Sequence, residues 1–284
     1  NTNTVFQYEL SPVPPSLIDE YGCLRKGNKA VLVKSLGASS LNPPVPDVIL
    51  VDAGQLLYHV VAGAGTTQDL VISFDTRLAR YPENSEKVVL FDRYDLDAPS
   101  TKDHERTRRG TSKEIRLTPQ NLLSCPEAVL HNAKNKNQLN NLICSYPLPN
   151  NVQLVNATEC DVTHAEADVT ICSYMLKAVA NGANTIRILS DDTDIFVLLV
   201  DWAVRMTVRA RIQMETWNGV VLDINQTVDQ LSPRKCQQLL DIHALTDCDT
   251  LSYPFGKGKQ SALKLLETYM PGLGGVLGQP GASQ

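Results

Sequence analysis

The sequence predicts an α/β fold of three layers, in which helices cover both faces of a central, mostly parallel, twisted sheet. Three short apolar runs rich in β-branched residues predict strands that are buried on both faces, at 48–52, 87–91 and 186–190. Segments with helical features separate these strands, at 67–81 and 163–180. Because strands that alternate with helices build parallel sheets, this order predicts the α/β/α arrangement.

The other elements follow from shorter signals. A strand is predicted at 152–155, and Asn181-Gly182 is typical of the left-handed cap that ends a helix. Asn218-Gly219 between the strand-like runs 209–215 and 220–224 predicts a hairpin. Helices are predicted at 233–247 and from 263 to 269, and the apolar run 195–200 has the length of a strand.

The domain organisation is predicted from composition. Residues 1–45 form a proline-rich N-terminal extension, residues 46–270 one domain, and residues 271–284 a flexible glycine-rich tail. The chain starts without a methionine, so we expect it to be part of a longer protein.

Composition restricts the function classes. Seven dispersed cysteines without a CxxC pair favour reduced thiols and an intracellular location, and no signal peptide or membrane-length apolar run is evident. The net charge of −5 argues mildly against a nucleic-acid partner. A metal site would concentrate acids that bound cations neutralise, so nucleic acid is not excluded.

Acids follow each of the three predicted strands. Asp52 ends the first and Asp92 the second, while Asp191, Asp192 and Asp194 follow the third. The carboxyl ends of parallel strands share one sheet edge, and carboxylates held close together raise one another's pKa. Mg²⁺ or Mn²⁺ is the usual partner of such an all-oxygen site. A simple turn or helix cap is the alternative, although three acids in four positions exceed what a turn requires.

Two further acids occur at the start of a predicted helix. Thr163 and Glu166 have the spacing of a capping box, which does not exclude a second role for Glu166 together with Asp168 in the acidic cluster. His59 lies on an apolar helix face and is predicted to be a core residue, and Trp217 is predicted to pack internally.

A glycine-rich loop precedes the last predicted helix. Gly256-Lys257-Gly258-Lys259 would present backbone amides to a phosphate, although its spacing is not that of a P-loop. A plain helix–turn–helix is the alternative.

These residues together resemble the flap-endonuclease and PIN-like nuclease superfamily, over roughly residues 46–270. The resemblance rests on the order and spacing of Asp52, Asp92, Glu166-Ala167-Asp168, Asp192-Thr193-Asp194 and Asp249, and on Gly256, Gly258 and Ala262. It is closer still to uncharacterised animal proteins, often associated with mobile elements, that carry HxEAD, DDTD[IV]FVLL and HALTxCDT…FGKGK segments.

The resemblance implies a two-metal phosphodiesterase with a C-terminal helix–three-turn–helix. One Mg²⁺ or Mn²⁺ would be held chiefly by the positions of Asp52, Asp92, Glu166 and Asp168, and the second by those of Asp192, Asp194 and Asp249. The segment Gly256, Lys257, Gly258 and Lys259 would clamp a duplex backbone and could hold K⁺.

The basic segment 102–116 occupies the place of the family's helical arch. It contains six basic and three acidic residues, and Lys102, Arg106, Arg108 and Arg109 are the candidate phosphate contacts. A solvated polar loop is the alternative. The N-terminal glycine of the family is absent, the arch is short, and Gly258-Lys259-Gln260 replaces Gly-Pro-Lys, so flap specificity is not implied.

The resulting hypothesis is a Mg²⁺- or Mn²⁺-dependent nuclease that acts on nucleic acid, with structured DNA favoured over RNA and a nuclear over a cytoplasmic location. One alternative is a catalytically silent nucleic-acid-binding or scaffold protein with the same fold. A haloacid-dehalogenase-like phosphotransferase is less favoured, because that chemistry requires a DxD after the first strand and Asp52-Ala53-Gly54 lacks the second acid.

Overall fold

The computed structural model describes residues 18, 20–22, 27–92, 113–123, 126–155, 167–205, 209–246 and 255–267, of which 233, 234 and 265–267 are described by their backbone alone. They fall into two compact units, one of residues 37–230 and one that combines residues up to 36 with residues from 231 onward. The domain boundaries expected at 46 and 270 stay a prediction. Within the described residues no helix is long and apolar enough to cross a membrane.

The larger unit is built on a six-stranded sheet of order β3-β2-β1-β4-β5-β6. All neighbouring strands are parallel except β5 and β6, which form the predicted antiparallel hairpin. The strands are β1 (Val48–Asp52), β2 (Glu86–Leu90), β3 (Val152–Val155), β4 (Thr185–Leu189), β5 (Arg211–Glu215) and β6 (Val221–Asp223). Five of the predicted strands are therefore confirmed to within one residue, and β5 begins two residues later than the run predicted at 209–215.

Helices cover both faces of this sheet, which confirms the three-layer prediction. One layer contains α2 (Ala53–Val61), α3 (Thr67–Leu78), α4 (Pro126–Val129) and α5 (Ala133–Cys144), and the other contains α6 (Ala167–Ala180) and α7 (Thr193–Arg205). Every residue of β1 is buried. Ile49, Val51 and Val89 belong to the apolar core that includes α2 and α3. Because side chains alternate along a strand, the intervening residues face the α6 layer.

Local signals explain where these helices begin and end. The side chain of Thr66 accepts a hydrogen bond from the Asp69 N–H, and Asp69 accepts one from the Thr66 N–H, so a capping box starts α3. Gly182 has a φ of 92°, which confirms the left-handed cap after α6. Residues 163–166 of the helix predicted there lie outside the described residues.

The run 195–200, whose length suits a strand, is part of α7. An apolar run of six residues fits a buried helix as well as a strand, and here the acids before it cap a helix that continues to Arg205.

The second unit contains α1 (Ala30–Leu36), α9 (Pro233–Leu245) and α10 (Lys259–Glu267), and α10 packs against the other two. The helix α8 (Ile224–Leu231) precedes it. The helices predicted at 233–247 and 263–269 are both present, but α10 begins four residues earlier than expected. Residues 247–254, between α9 and α10, are outside the described part of the chain.

Candidate metal centre

Three helices of the larger unit begin at the carboxyl edge of the sheet, and each donates a backbone N–H hydrogen bond from its first turn to an aspartate. Asp52 Oδ1 accepts from the Gln55 N–H of α2 at 3.1 Å. Asp92 Oδ1 accepts from the Ala167 N–H of α6 at 3.0 Å, and Asp192 Oδ1 from the Asp194 N–H of α7 at 2.9 Å. The positive ends of the three helices therefore partly offset the repulsion among these acids.

A serine links the strand ends to the same acids. The Ser190 hydroxyl donates to Asp52 Oδ2 at 3.1 Å and accepts from the Asp192 N–H at 3.0 Å. Ser190 follows β4, which neighbours β1 in the sheet, so the parallel register brings Ser190 beside the end of β1. Ser190, which is 138 positions away in the sequence, thus fixes the orientation of the Asp52 carboxylate.

Three half-buried acids form the densest group. Asp168, Asp192 and Asp194 each offer one carboxylate oxygen, and these oxygens all lie within 4.8 Å of one another. Asp168 lies in the first turn of α6 and Asp194 in the first turn of α7. Their convergence follows from helices that start side by side at one sheet edge.

Asp52 shows the electrostatic cost of this arrangement. Its side chain is 6% exposed. Burial, followed by the charge of Asp92 and more weakly that of Asp192, raises the pKa of Asp52 to about 7, against the hydrogen bonds from Gln55 and Ser190. At neutral pH this carboxylate therefore favours either a proton or a cation.

Gly54 leaves space beside two of the carboxylates. A Cβ atom on Gly54 would lie 3.4 Å from Asp52 Oδ1 and 3.7 Å from Asp92 Oδ2, in contact with both. Space beside paired carboxylates, together with oxygens that converge from Asp168, Asp192 and Asp194, fits a hard divalent cation such as Mg²⁺ or Mn²⁺.

The structure brings together the predicted acids that it describes. Asp168, Asp192 and Asp194 form one group, and Asp52 interacts electrostatically with Asp92 and Asp192. Glu166 and Asp249 lie outside the described residues, as do the candidate phosphate contacts Lys102, Arg106, Arg108 and Arg109. That these six residues belong to a functional site remains a prediction.

Asp191 has a different role from Asp192 and Asp194. Its Oδ1 accepts from the Trp217 N–H at 3.0 Å, and its Oδ2 lies 3.5 Å from His59 Nε2. The prediction that His59 is a core residue is wrong, because its side chain is 41% exposed. Trp217 is buried as predicted, and its ring centroid lies 5.1 Å from that of His59. No local sequence signal pairs His59 with a tryptophan on a distant hairpin.

In the second unit, the loop before α10 contains both exposed and buried positions, and its role as a clamp on a duplex backbone stays a prediction. Gly256 and Lys257 are exposed and Gly258 is half-buried. Lys259 differs, because it is 3% exposed and its Nζ donates to His243 O at 3.1 Å and to Thr246 Oγ1 at 3.4 Å. The ammonium of Lys259 thus binds the carbonyl end of α9, where basic groups often bind helix C-termini, and is buried there.

The same contacts bear on the K⁺ expected near this loop. The carbonyl and hydroxyl oxygens of His243 and Thr246 are the kind of ligand that K⁺ would use, and an ammonium already contacts them. Among the described residues, the ammonium of Lys259 therefore contacts two oxygens that could otherwise bind K⁺.

Similarity to known proteins is found in the comparison with solved structures. No family model matches the chain, and no curated protein matches its sequence. Among solved structures, the T5 D15 protein co-crystallised with metal ions is 12% identical, with a TM-score of 0.46 over 78% of this chain and 74% of that one. The catalytic core of Rad2 in complex with a DNA substrate is 14% identical, with a TM-score of 0.48 over 84% of this chain.

The present chain spans 64% of the Rad2 core, which is less than two thirds of its length. With identities this low, the chemistry of the chain has to be inferred from its own residues.

Proposed function

We propose that this chain is a divalent-metal-dependent nuclease of the PIN-like and flap-endonuclease type, which hydrolyses phosphodiester bonds of structured DNA with two metal ions. The observation that carries the proposal is the convergence of the Asp168, Asp192 and Asp194 oxygens within 4.8 Å, at the sheet edge where Asp52 and Asp92 also lie. Mg²⁺ or Mn²⁺ suits an all-carboxylate site, and the choice between them belongs to the proposal.

In this proposal the acids divide into two neighbouring groups. Asp168, Asp192 and Asp194 would hold one ion, and Asp52 and Asp92 would hold the other. When bound, such ions polarise a phosphodiester and stabilise the charge that develops on it. Glu166 and Asp249 would complete the ligand sets.

The protein's own groups prepare these acids. The Ser190 hydroxyl and the N–H groups at the three helix starts fix the carboxylate orientations. Asp52 would have to be ionised to hold a cation, because a ligating carboxylate must be deprotonated. Preoriented ligands spend little energy on reorganisation during the reaction.

The test is cleavage of labelled flap, hairpin and single-stranded DNA, and of RNA, with Mg²⁺ or Mn²⁺. Asp192→Asn is the informative variant, because asparagine caps a helix as well as aspartate but is a weaker metal ligand. Asp229→Asn, an exposed acid of α8, is the matched control. We expect wild type and Asp229→Asn to cut and Asp192→Asn to be inactive.

Two outcomes would contradict the proposal. If wild type binds these substrates tightly but cuts none, the chain is a silent nucleic-acid-binding or scaffold protein. If Asp192→Asn cuts as fast as wild type, the activity belongs to a different site or to a contaminant.

A further inference from the structure

His59 lies on the helix that leaves the acidic edge. α2 is capped by Asp52, and His59 follows seven residues later, which corresponds to about 10 Å of helical rise. A nucleic-acid strand covers this distance in about three nucleotides, at roughly 3.4 Å of rise each. The histidine is therefore within reach of a strand whose scissile bond lies at the acids.

The imidazole is held in place by Asp191. One carboxylate oxygen of Asp191 contacts His59 Nε2 at 3.5 Å, while the other accepts the Trp217 N–H at 3.0 Å. Asp191 directly precedes the candidate ligand Asp192, so the chain that shapes the acidic group also fixes the histidine. Within the described residues, no hydrogen bond occupies His59 Nδ1.

Trp217 supports the ring from behind. It is 7% exposed, and the centroids of the two rings are 5.1 Å apart. The Arg77 guanidinium lies 5.6 Å from the indole centroid, and its Nη2 donates to Trp217 O at 3.0 Å. The half-exposed histidine thus rests on a buried indole ring whose backbone N–H and C=O are hydrogen-bonded, and little conformational entropy would be lost when it binds a ligand.

The geometry points to His59 as a phosphate-binding residue, which contacts a nucleic-acid phosphate away from the scissile one and positions the strand. This inference rests on the proposed function. A protonated imidazole held through Nε2 by Asp191 presents Nδ1–H as a charged donor, which suits a phosphate oxygen. The charged groups that face His59 are Asp191 and, behind Trp217, Arg77.

The salt dependence of binding tests this contact. Affinity for the DNA that wild type cuts fastest is measured against NaCl concentration in EDTA at about pH 6, with all variants in the Asp192→Asn background. We expect His59→Ala to reduce the slope of log K against log[salt] by about 0.7–0.9, which is one phosphate contact. His131→Ala, which removes another exposed histidine, is the control and should leave the slope unchanged.

A double-mutant cycle with Asp191→Asn tests how the histidine is held. Asp191→Asn should weaken binding when His59 is present and have no effect in the His59→Ala background, because coupled residues are not additive. An unchanged slope for His59→Ala, or equal effects of Asp191→Asn in both backgrounds, would overturn this inference and leave the nuclease proposal intact. Wild type that neither binds nor cuts nucleic acid would overturn both.

Discussion

The two ends of β1 each carry an aspartate, and the two aspartates differ in burial and in the groups that surround them. Asp47, just before the strand, is exposed, and its Oδ2 accepts the N–H groups of Asn184 and Thr185 at 2.8 and 2.9 Å. Asp52, the last residue of the strand, is buried beside Asp92 and Asp192, and its pKa is raised to about 7. The first acid ties two strands together, whereas the second faces other acids.

A groove large enough to hold a ligand lies at the amino edge of the sheet, away from the acids of the carboxyl edge. An open groove of about 680 Å³ lies at the amino edge, and Asp47, Glu86, Asn184 and Lys177 are among its lining residues. One of its acids is already used by backbone N–H groups. The acids of the carboxyl edge converge on a small volume, which shows that converging charge identifies a candidate metal site better than volume does.

The largest expected difference between the two edges is in catalysis. Asp194→Asn should lower the cleavage rate by about 100-fold or more, because metal stabilisation is worth several kcal/mol. Asp47→Asn, at the amino edge, should stay within about twofold of wild type, as surface changes usually do. Single-turnover cleavage rates of the two variants measure this difference, and equal losses would remove the functional distinction between the edges.

The second largest expected effect is on how the free energy of unfolding depends on pH in the absence of metal. The pKa of Asp52 in the folded protein, about 7, exceeds its ordinary value of 3.8, so the folded state binds this proton more tightly. The contribution to stability is complete below about pH 4 and is lost as the pH rises towards 7, by a few kcal/mol at most. Urea unfolding in EDTA at several pH values measures it.

Substitutions at the two ends of β1 sharpen this prediction. Asp52→Asn should flatten the decline between about pH 4 and pH 7, because the group that titrates is gone. Asp47→Asn should leave the decline as it is in wild type. An Asp52→Asn variant whose stability changes with pH just as wild type does would show that Asp52 does not carry the buried charge described here.

The smallest expected effect is structural and belongs to the amino edge. Asp47→Ala removes the acceptor of two backbone N–H groups and should lower the free energy of unfolding by about 1 kcal/mol, since the site is exposed. Equilibrium urea unfolding measures this loss. The stabilisation by Mg²⁺ should be the same as in wild type, and a loss of that stabilisation would contradict the assignment of the two edges.

Much of the fold could be predicted because its signals are local. Apolar runs of β-branched residues indicated the central strands, and Asn218-Gly219 indicated the hairpin. The purpose of the Asn-rich helix α5 could not be predicted from the sequence. In the structure Asn135 and Gln138 of α5 bond the backbone of Lys113, Ile115 and Leu117, in the manner of a neighbouring strand. Such pairing depends on tertiary contacts.

The candidate site was predicted as a set of acids, and the resemblance assigned Asp168 to the ion of Asp52 and Asp92. In the structure an oxygen of Asp168 converges instead with those of Asp192 and Asp194. The sequence places Asp191, Asp192 and Asp194 equally near the third strand, and only the start of α7 separates the two that converge with Asp168 from the one that contacts His59. The exposure of His59 depends on Trp217, and the burial of Lys259 on the end of α9. Sequence periodicity reports neither contact.

The most direct test of the central claim is an anomalous difference map from crystals soaked in Mn²⁺. The account predicts a peak in direct contact with the carboxylate oxygens of Asp168, Asp192 and Asp194, and a second beside Asp52 and Asp92. The first peak should be lost or strongly reduced in crystals of Asp192→Asn soaked in the same way. Peaks confined to the amino edge near Asp47, or no peak at the acids of the carboxyl edge, would contradict it.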